Sequence, residues 1–188
     1  MMKTRMQEKI EKLVTPKLLE KFGFGNPNMT PRLEKATLNV GIRADLKDPK
    51  FIEEFSKDLA SIAGQYPVKT RAKKSISAFK IREGQVVGLM VTLRGKRMYE
   101  FVDKLFNVAL ARIRDFRGLE DKGFDKNGNY SIGFRDQISF PEISPDGVSH
   151  PFGAQVTLTV KARKPEHSRE FLRLLGLPLK KAETLKKS

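Results

Sequence analysis

The sequence predicts an α+β fold: a mostly antiparallel five-stranded sheet with helices packed on one face and a long basic loop between the second and third strands. Three observations lead there. Several segments alternate apolar and polar residues with period two, others carry apolar stripes at helical spacing, and the helices suffice to cover only one side of the sheet. Because each alternating segment keeps one polar side, the sheet should be left open on that side.

The elements follow in order. Met6, Ile10, Leu13, Val14 and Leu18 form a helical stripe, which Thr15-Pro16 interrupts either as the start of a second helix through Phe22 or as a kink. Residues 23–31 carry turn chemistry. Ala36, Leu38, Val40 and Ile42 then alternate with Lys35, Thr37, Asn39 and Arg43, a strand with one core face. Asp48-Pro49 opens a helix whose apolar face is Phe51, Ile52, Phe55, Leu59, Ile62 and Ala63, ending near Gly64. Residues 66–70 suit a short strand, and residues 71–85 read as a long loop or an extended hairpin.

Val87, Leu89, Val91 and Leu93 alternate with Gly88, Met90, Thr92 and Arg94 in a further strand ended by Gly95. The longest amphipathic helix follows, with Met98, Phe101, Val102, Leu105, Phe106, Ala109 and Ile113 on its apolar side, closing near Gly118. Asn127-Gly128 signals a turn, and Tyr130, Ile132, Phe134, Ile138 and Phe140 continue with period two, broken by Asp136. After a loop over 141–153, Val156, Leu158, Val160 and Ala162 alternate with Thr157, Thr159, Lys161 and Arg163. Pro165 starts a last helix that Gly176 stops.

Composition narrows the function. With 188 residues, 39% hydrophobic and 31% charged, the chain suits one globular domain over residues 1–179 followed by a basic tail at 180–188. It has no cysteine, which leaves no disulfide or thiolate chemistry. The charged start has no apolar core of a secretory signal, and no run approaches the roughly 18 apolar residues of a membrane span, so the cytoplasm is the expected address.

The net charge of +15 is concentrated. Residues 68–97 hold nine basic residues against Glu83 alone, and residues 161–188 hold nine more against three acids, so the rest of the chain is nearly neutral. Such a distribution calls for a polyanionic partner, above all nucleic acid. In Arg71-Ala72-Lys73-Lys74-Ser75, and again at Lys80 and Arg82, cations alternate with small residues, so backbone and side chains can both approach phosphates. Phe79, alone among polar residues, reads as an anchor of its own loop rather than as a base-stacking ring. Asn39, Thr92 and Gln65 offer short neutral donors and acceptors suited to 2′-hydroxyls and base edges.

Catalytic and metal chemistry find little support. His150 and His167 stand far from any second ligand in sequence and read as loop or helix-surface residues. The acids Asp115, Glu120, Asp121, Asp125 and Asp136 alternate with basic residues in the manner of an ion-paired surface. A Mg2+-dependent RNA nuclease or modifying enzyme using Asp115, Asp121 or Asp125 is the alternative function. Gly23-Phe24-Gly25 and Gly95-Lys96 lack the remainder of a nucleotide-binding motif, and Asn129-Tyr130-Ser131 is an incidental glycosylation match. No cofactor is expected.

The runs Pro31-Arg32-Leu33-Glu34-Lys35-Ala36-Thr37-Leu38-Asn39-Val40-Gly41, Lys73-Lys74-Ser75 through Phe79-Lys80-Ile81-Arg82-Glu83-Gly84, and Val91-Thr92-Leu93-Arg94-Gly95 resemble the ribosomal protein L5 family. So do Arg112-Ile113-Arg114-Asp115-Phe116-Arg117-Gly118-Leu119, and Gly128-Asn129-Tyr130-Ser131 through Phe140-Pro141-Glu142-Ile143. The resemblance implies a non-enzymatic, ribosome-bound RNA binder of the central protuberance. Asn39, Gln65 and Thr92, with Lys35 and Arg94, would contact 5S rRNA. Arg71, Lys73, Lys74, Ser75, Lys80 and Arg82 would touch the P-site tRNA. It also implies 23S rRNA, neighbouring large-subunit proteins and, through residues 115–143, a protein of the small-subunit head as partners, with no membrane. The chain departs from the family pattern at Ala111, where a proline is usual and whose absence would let the helix run on, and at Phe152 and Gln155.

Overall fold

A computed structural model describes residues 3–42, 48–114, 116–145, 148 and 150–180, so Asp115 and the tail beyond Lys180 lie outside the described residues. Its strands β1 (Arg32–Gly41), β2 (Val68–Arg71), β3 (Val86–Leu93), β4 (Tyr130–Phe134) and β5 (Ala154–Lys161) form one sheet in the order β2-β3-β1-β5-β4. All four pairings are antiparallel. The helices are α1 (Arg5–Lys9), α2 (Thr15–Phe22), α3 (Pro49–Ala63), α4 (Gly95–Lys104) and α5 (Pro165–Leu175).

β1 begins four residues before the clean alternation, because a bulge resets its phase. Leu33 faces Val160 of β5 and Lys35 faces Thr159, which leaves Glu34 as the extra residue. Leu33, Ala36, Leu38 and Val40 are thereby all buried, while Glu34 and Asn39 are exposed and Lys35 and Thr37 half-buried. The inward residues of the other strands join them, among them Leu89, Val91, Ile132, Phe134, Val156 and Leu158. Phe55 and Leu59 of α3, Met98 and Val102 of α4, and Phe171 and Leu172 of α5 complete the same buried cluster.

Thr15-Pro16 is neither the cap of a new helix nor a break: Thr15 is already helical (φ −59°, ψ −50°) and the chain runs on from α1 into α2. Thr4 caps α1: the Gln7 N–H donates to Thr4 Oγ1 and the Thr4 N–H donates to Gln7 Oε1 at 2.9 Å, a reciprocal pair legible in Thr4-Arg5-Met6-Gln7. Between α1 and α2 the chain forms a π-turn over Ile10–Val14, closed by the Thr15 N–H on the Ile10 carbonyl. Pro16 has no N–H to give and would crowd the carbonyl four residues back, so the turn before it widens rather than breaks.

Two expected boundaries move. The helix begun by α4 passes through a π-turn at Leu105–Ala109 and a 3-10 turn at Leu110–Arg112, and Ile113 is already extended at ψ 124°. It therefore ends well before Gly118, and Ala111 does not prolong it. Leu105, Phe106, Ala109 and Leu110 are all buried along this stretch. The period-two pattern after Tyr130 is strand only to Phe134. Residues 137–139 form a 3-10 turn because the buried Gln137 bridges the neighbouring loop, accepting from the Phe152 N–H at 2.8 Å and donating to the His150 carbonyl at 3.2 Å. Phe152 itself is buried against Phe55, with ring centres 4.8 Å apart.

Two measurements check this packing. Leu38→Ala should cost about 2–5 kcal/mol in urea unfolding, while Leu13→Ala, on an exposed side chain, should cost less than about 0.5 kcal/mol; equal costs would contradict the assigned faces. Burial, helped by the nearby charges of Asp121 and Glu120, pushes the Tyr130 phenol up to about 12 while its hydroxyl donates to the Glu120 carbonyl. The unfolded phenol ionises near pH 10, so this contribution is complete below about pH 10 and is lost as pH rises through the folded value. Tyr130→Phe should flatten the alkaline fall in stability; an unchanged slope would contradict it.

Candidate nucleic-acid interface

The helix-free side of the sheet presents its outward residues in rows fixed by register. One row runs Thr92–Thr37–Thr157–Ser131, and Ser131 Oγ lies 3.0 Å from Thr157 Oγ1. The next runs Val68–Met90–Asn39–Gln155–Gly133, so Asn39 sits in mid-sheet on the central strand, exposed. Lys35, opposite Thr159, stands in a further row. The centre of this surface is uncharged, hydroxyl and amide groups that donate and accept without demanding an ion.

Gln65 reaches the same rows from outside the sheet. α3 ends at Gly64 in the left-handed region (φ 65°), and the next residue turns back so that Gln65 Nε2 donates to the Thr92 carbonyl at 3.4 Å. Arg97 donates to Gln65 Oε1 at 3.5 Å. Arg94 at the end of β3 donates to the Glu34 carbonyl at 3.4 Å and lies 3.8 Å from its carboxylate, so part of its charge is answered within the protein. The fold thus gathers Asn39, Thr92, Gln65 and Lys35, with Arg94 at the margin. Reasoning from residue type alone overlooked the apolar part of this surface: Tyr66, Val68 and Met90 are exposed beside it.

Of the two readings of residues 71–85, the structure has the hairpin. Beyond β2 and β3 the strands stay tied by Ala72 N–H to the Gln85 carbonyl (2.8 Å), Gly84 N–H to the Ala72 carbonyl (2.9 Å) and a mutual pair between Ile76 and Ile81. The Glu83 N–H donates to Ser75 Oγ at 2.9 Å. The tip is a 3-10 turn over Ser77–Phe79, after which Lys80 holds φ 49°, the one positive φ outside glycine among the described residues. A left-handed L-residue costs about 1–2 kcal/mol, strain at the point furthest from the sheet. Phe79 does not anchor the loop. It is 67% exposed, because backbone bonds between Ile76 and Ile81 already close the tip.

Most of the hairpin's cations have no acid beside them. Arg71, Lys73, Lys74 and Arg82 are exposed, and none is ion-paired with another described residue. Several cations on the helical side, by contrast, are matched locally, as in Lys12–Glu8 (3.0 Å), Lys21–Glu170 (2.8 Å) and Lys104–Glu142.

The candidate chemistry at the acids does not assemble. Glu120 pairs with Lys180 at 3.3 Å, Asp121 with Arg169 at 3.6 Å, and Asp136 accepts from Ser139 at 3.4 Å. Slight desolvation pushes the Asp125 carboxyl up, but hydrogen bonds from the Asn129 side chain and from the N–H groups of Asn129, Asn127 and Gly128 outweigh it and hold the group below the usual range. Among the described residues no three His, Asp or Glu side chains are gathered as a metal would need. His167 is not on the helix surface as expected. It is buried, with its ring 4.5 Å from Phe22 and 5.0 Å from Phe24, and His150 lies 4.5 Å from Phe51.

The chain is similar to ribosomal proteins over nearly its whole length. The family model described as ribosomal protein L5 matches residues 26–82, and the one described as the C-terminus of the same ribosomal family matches residues 86–179. The chain is 47% identical to large ribosomal subunit protein uL5 of Carboxydothermus hydrogenoformans, across 93% of this chain and 97% of that protein. It is 48% identical to the uL5 of Caldanaerobacter subterraneus (95% and 99%) and 49% to that of Clostridium kluyveri (94% and 98%).

The seat of the hairpin depends on Gly88, where an added Cβ would lie 2.7 Å from the Val40 carbonyl oxygen and 2.9 Å from Thr70 Oγ1. Gly88→Ala should therefore destabilise the protein by about 1–3 kcal/mol and raise amide exchange at β2 more than at β5. A neutral substitution, or equal loosening of both strands, would contradict this placement.

Proposed function

The chain belongs to the ribosomal protein L5 family and is a structural protein of the large ribosomal subunit rather than an enzyme; from that premise we propose that its open sheet face binds 5S rRNA in the central protuberance while its cationic hairpin reaches the tRNA in the peptidyl site. The observation that carries this reading is the pairing of a neutral, hydrogen-bonding face with a hairpin on which Arg71, Lys73, Lys74 and Arg82 have no ion pair with any described residue.

The two surfaces suit different tasks. Asn39, Thr92 and Gln65 are short and held by the sheet, so they can meet 2′-hydroxyls and base edges at fixed positions, with Lys35 and Arg94 supplying charge to flanking phosphates. Arg71, Lys73, Lys74, Lys80 and Arg82, with the Ser75 hydroxyl among them, are carried on a projecting hairpin that touches a partner through phosphate charge. Residues 115–143, whose strand β4 is the sheet edge opposite β2, are the segment we assign to the small-subunit head protein. Contacts with 23S rRNA and neighbouring proteins of the protuberance complete a ribosome-bound role in the cytoplasm.

Affinity of the isolated protein for 5S rRNA should fall steeply with salt, with a slope set by about four to eight neutralised phosphates; a salt-insensitive affinity would contradict the proposal. Joint replacement of Asn39, Gln65 and Thr92 by Ala should weaken 5S rRNA binding at least about tenfold. Replacing Lys73, Lys74 and Lys80 should instead impair tRNA engagement by the assembled ribosome. Two variant sets with the same effect on both assays would refute the division of labour.

A further inference from the structure

The second basic segment is not used by the surfaces described so far, and much of its described part is internally neutralised. Arg169 pairs with Asp121, Arg173 with Glu170 and Lys180 with Glu120. What remains is local: Lys161, Arg163 and Lys164, at the passage from β5 into α5, are exposed and have no ion pair with any described residue. Together with Lys126 they line a notch of about 470 Å³.

The notch is built, not a chance meeting of flexible ends. Lys126 lies in a tight turn whose geometry is set by Asp125, which accepts from the N–H groups of Asn127 (2.9 Å) and Asn129 (2.8 Å). Asn129 then ties that turn to the sheet, donating to Asp125 Oδ2 at 2.7 Å and accepting from the Val160 N–H at 3.1 Å. Gly128 presses the turn on α5: its φ of +82° and the 2.7 Å that would separate an added Cβ from Ser168 Cβ leave room for no other residue. Four cations are thus held on one concave surface. The single carboxylate in the lining, Glu34, faces Arg94 at 3.8 Å.

We propose that this notch is a second RNA-backbone site, which grips phosphates of the same RNA that lies on the open face. This inference rests on the reading of that face as an rRNA surface. Like charges held together repel one another, and a polyanion relieves that repulsion. The notch also continues the open face, since Thr159 lines it and stands opposite Lys35 in the sheet. A strand of RNA crossing the threonine rows would leave the sheet over Lys161.

The test uses the full chain with 5S rRNA as probe. Lysine acetylation followed by mass spectrometry should show Lys126, Lys161 and Lys164 protected in the complex, while Lys12 and Lys57 on the helices stay reactive. A variant with Lys126, Lys161, Arg163 and Lys164 all changed to Gln should fold as the parent does, bind at least about tenfold more weakly, and lose about 2–3 from its salt slope. Binding by the parent with those lysines unprotected, and unchanged affinity in the variant, would overturn the notch and leave the open-face reading standing. No binding of 5S rRNA by the parent would overturn both.

Discussion

The alternation along β1 is the constraint on which the rest depends. β1, from the family-matched segment 26–82, lies between β3 and β5, both from the segment 86–179, while β2 of its own segment joins the sheet only through β3. Neither segment completes the sheet by itself. Ala36, Leu38 and Val40 commit one side of β1 to the core, and a slip of one residue would bury Thr37 and Asn39 and expose the leucine. The rows of hydroxyls and amides on the opposite side are fixed by that same register. The hydrophobic burial that stabilises the fold is therefore also what positions the groups proposed to meet RNA.

Uneven use of charge is the second organising feature. On the helices several cations are matched to acids over short distances, as in Lys12–Glu8 and Lys57–Glu53, and such exposed pairs contribute little to stability. The hairpin and the notch beside α5 depart from this habit. The segments that carry their cations are held in place mainly by hydrogen bonds to the backbone, so most of the charge on them stays available. The hairpin's tip adds a left-handed lysine and an exposed phenylalanine, features that cost stability in the chain by itself.

Much of this was legible in the residues themselves. The antiparallel five-stranded sheet, the helix over Pro49–Ala63, and the polar faces carrying Asn39 and Thr92 follow from periodicity, caps and glycine stops. What escaped has physical causes. π-turns leave no period of their own, so the widening before Pro16 and the early end of the helix at Arg112 were hidden. Gln137 looked like a strand residue because its buried bridging role depends on Phe152, which is distant in sequence. His167 looked exposed because the rings that cover it belong to the first helix and the turn after it. Phe79 looked like an anchor because nothing in its neighbours reveals that backbone bonds already close the tip. Gln65 was legible as a residue of the turn after the helix, but its bond to the Thr92 carbonyl depends on the left-handed Gly64 and on a strand distant in sequence.

The central claim is that the helix-free side of the sheet is the side that meets RNA, and photo-crosslinking from single positions tests it most directly. A photoreactive residue at Thr37, Asn39 or Thr157 should crosslink to rRNA in assembled large subunits, and one at Lys57 or Glu53 on α3 should not. Efficient RNA crosslinks from α3 with none from the three sheet positions would contradict the account.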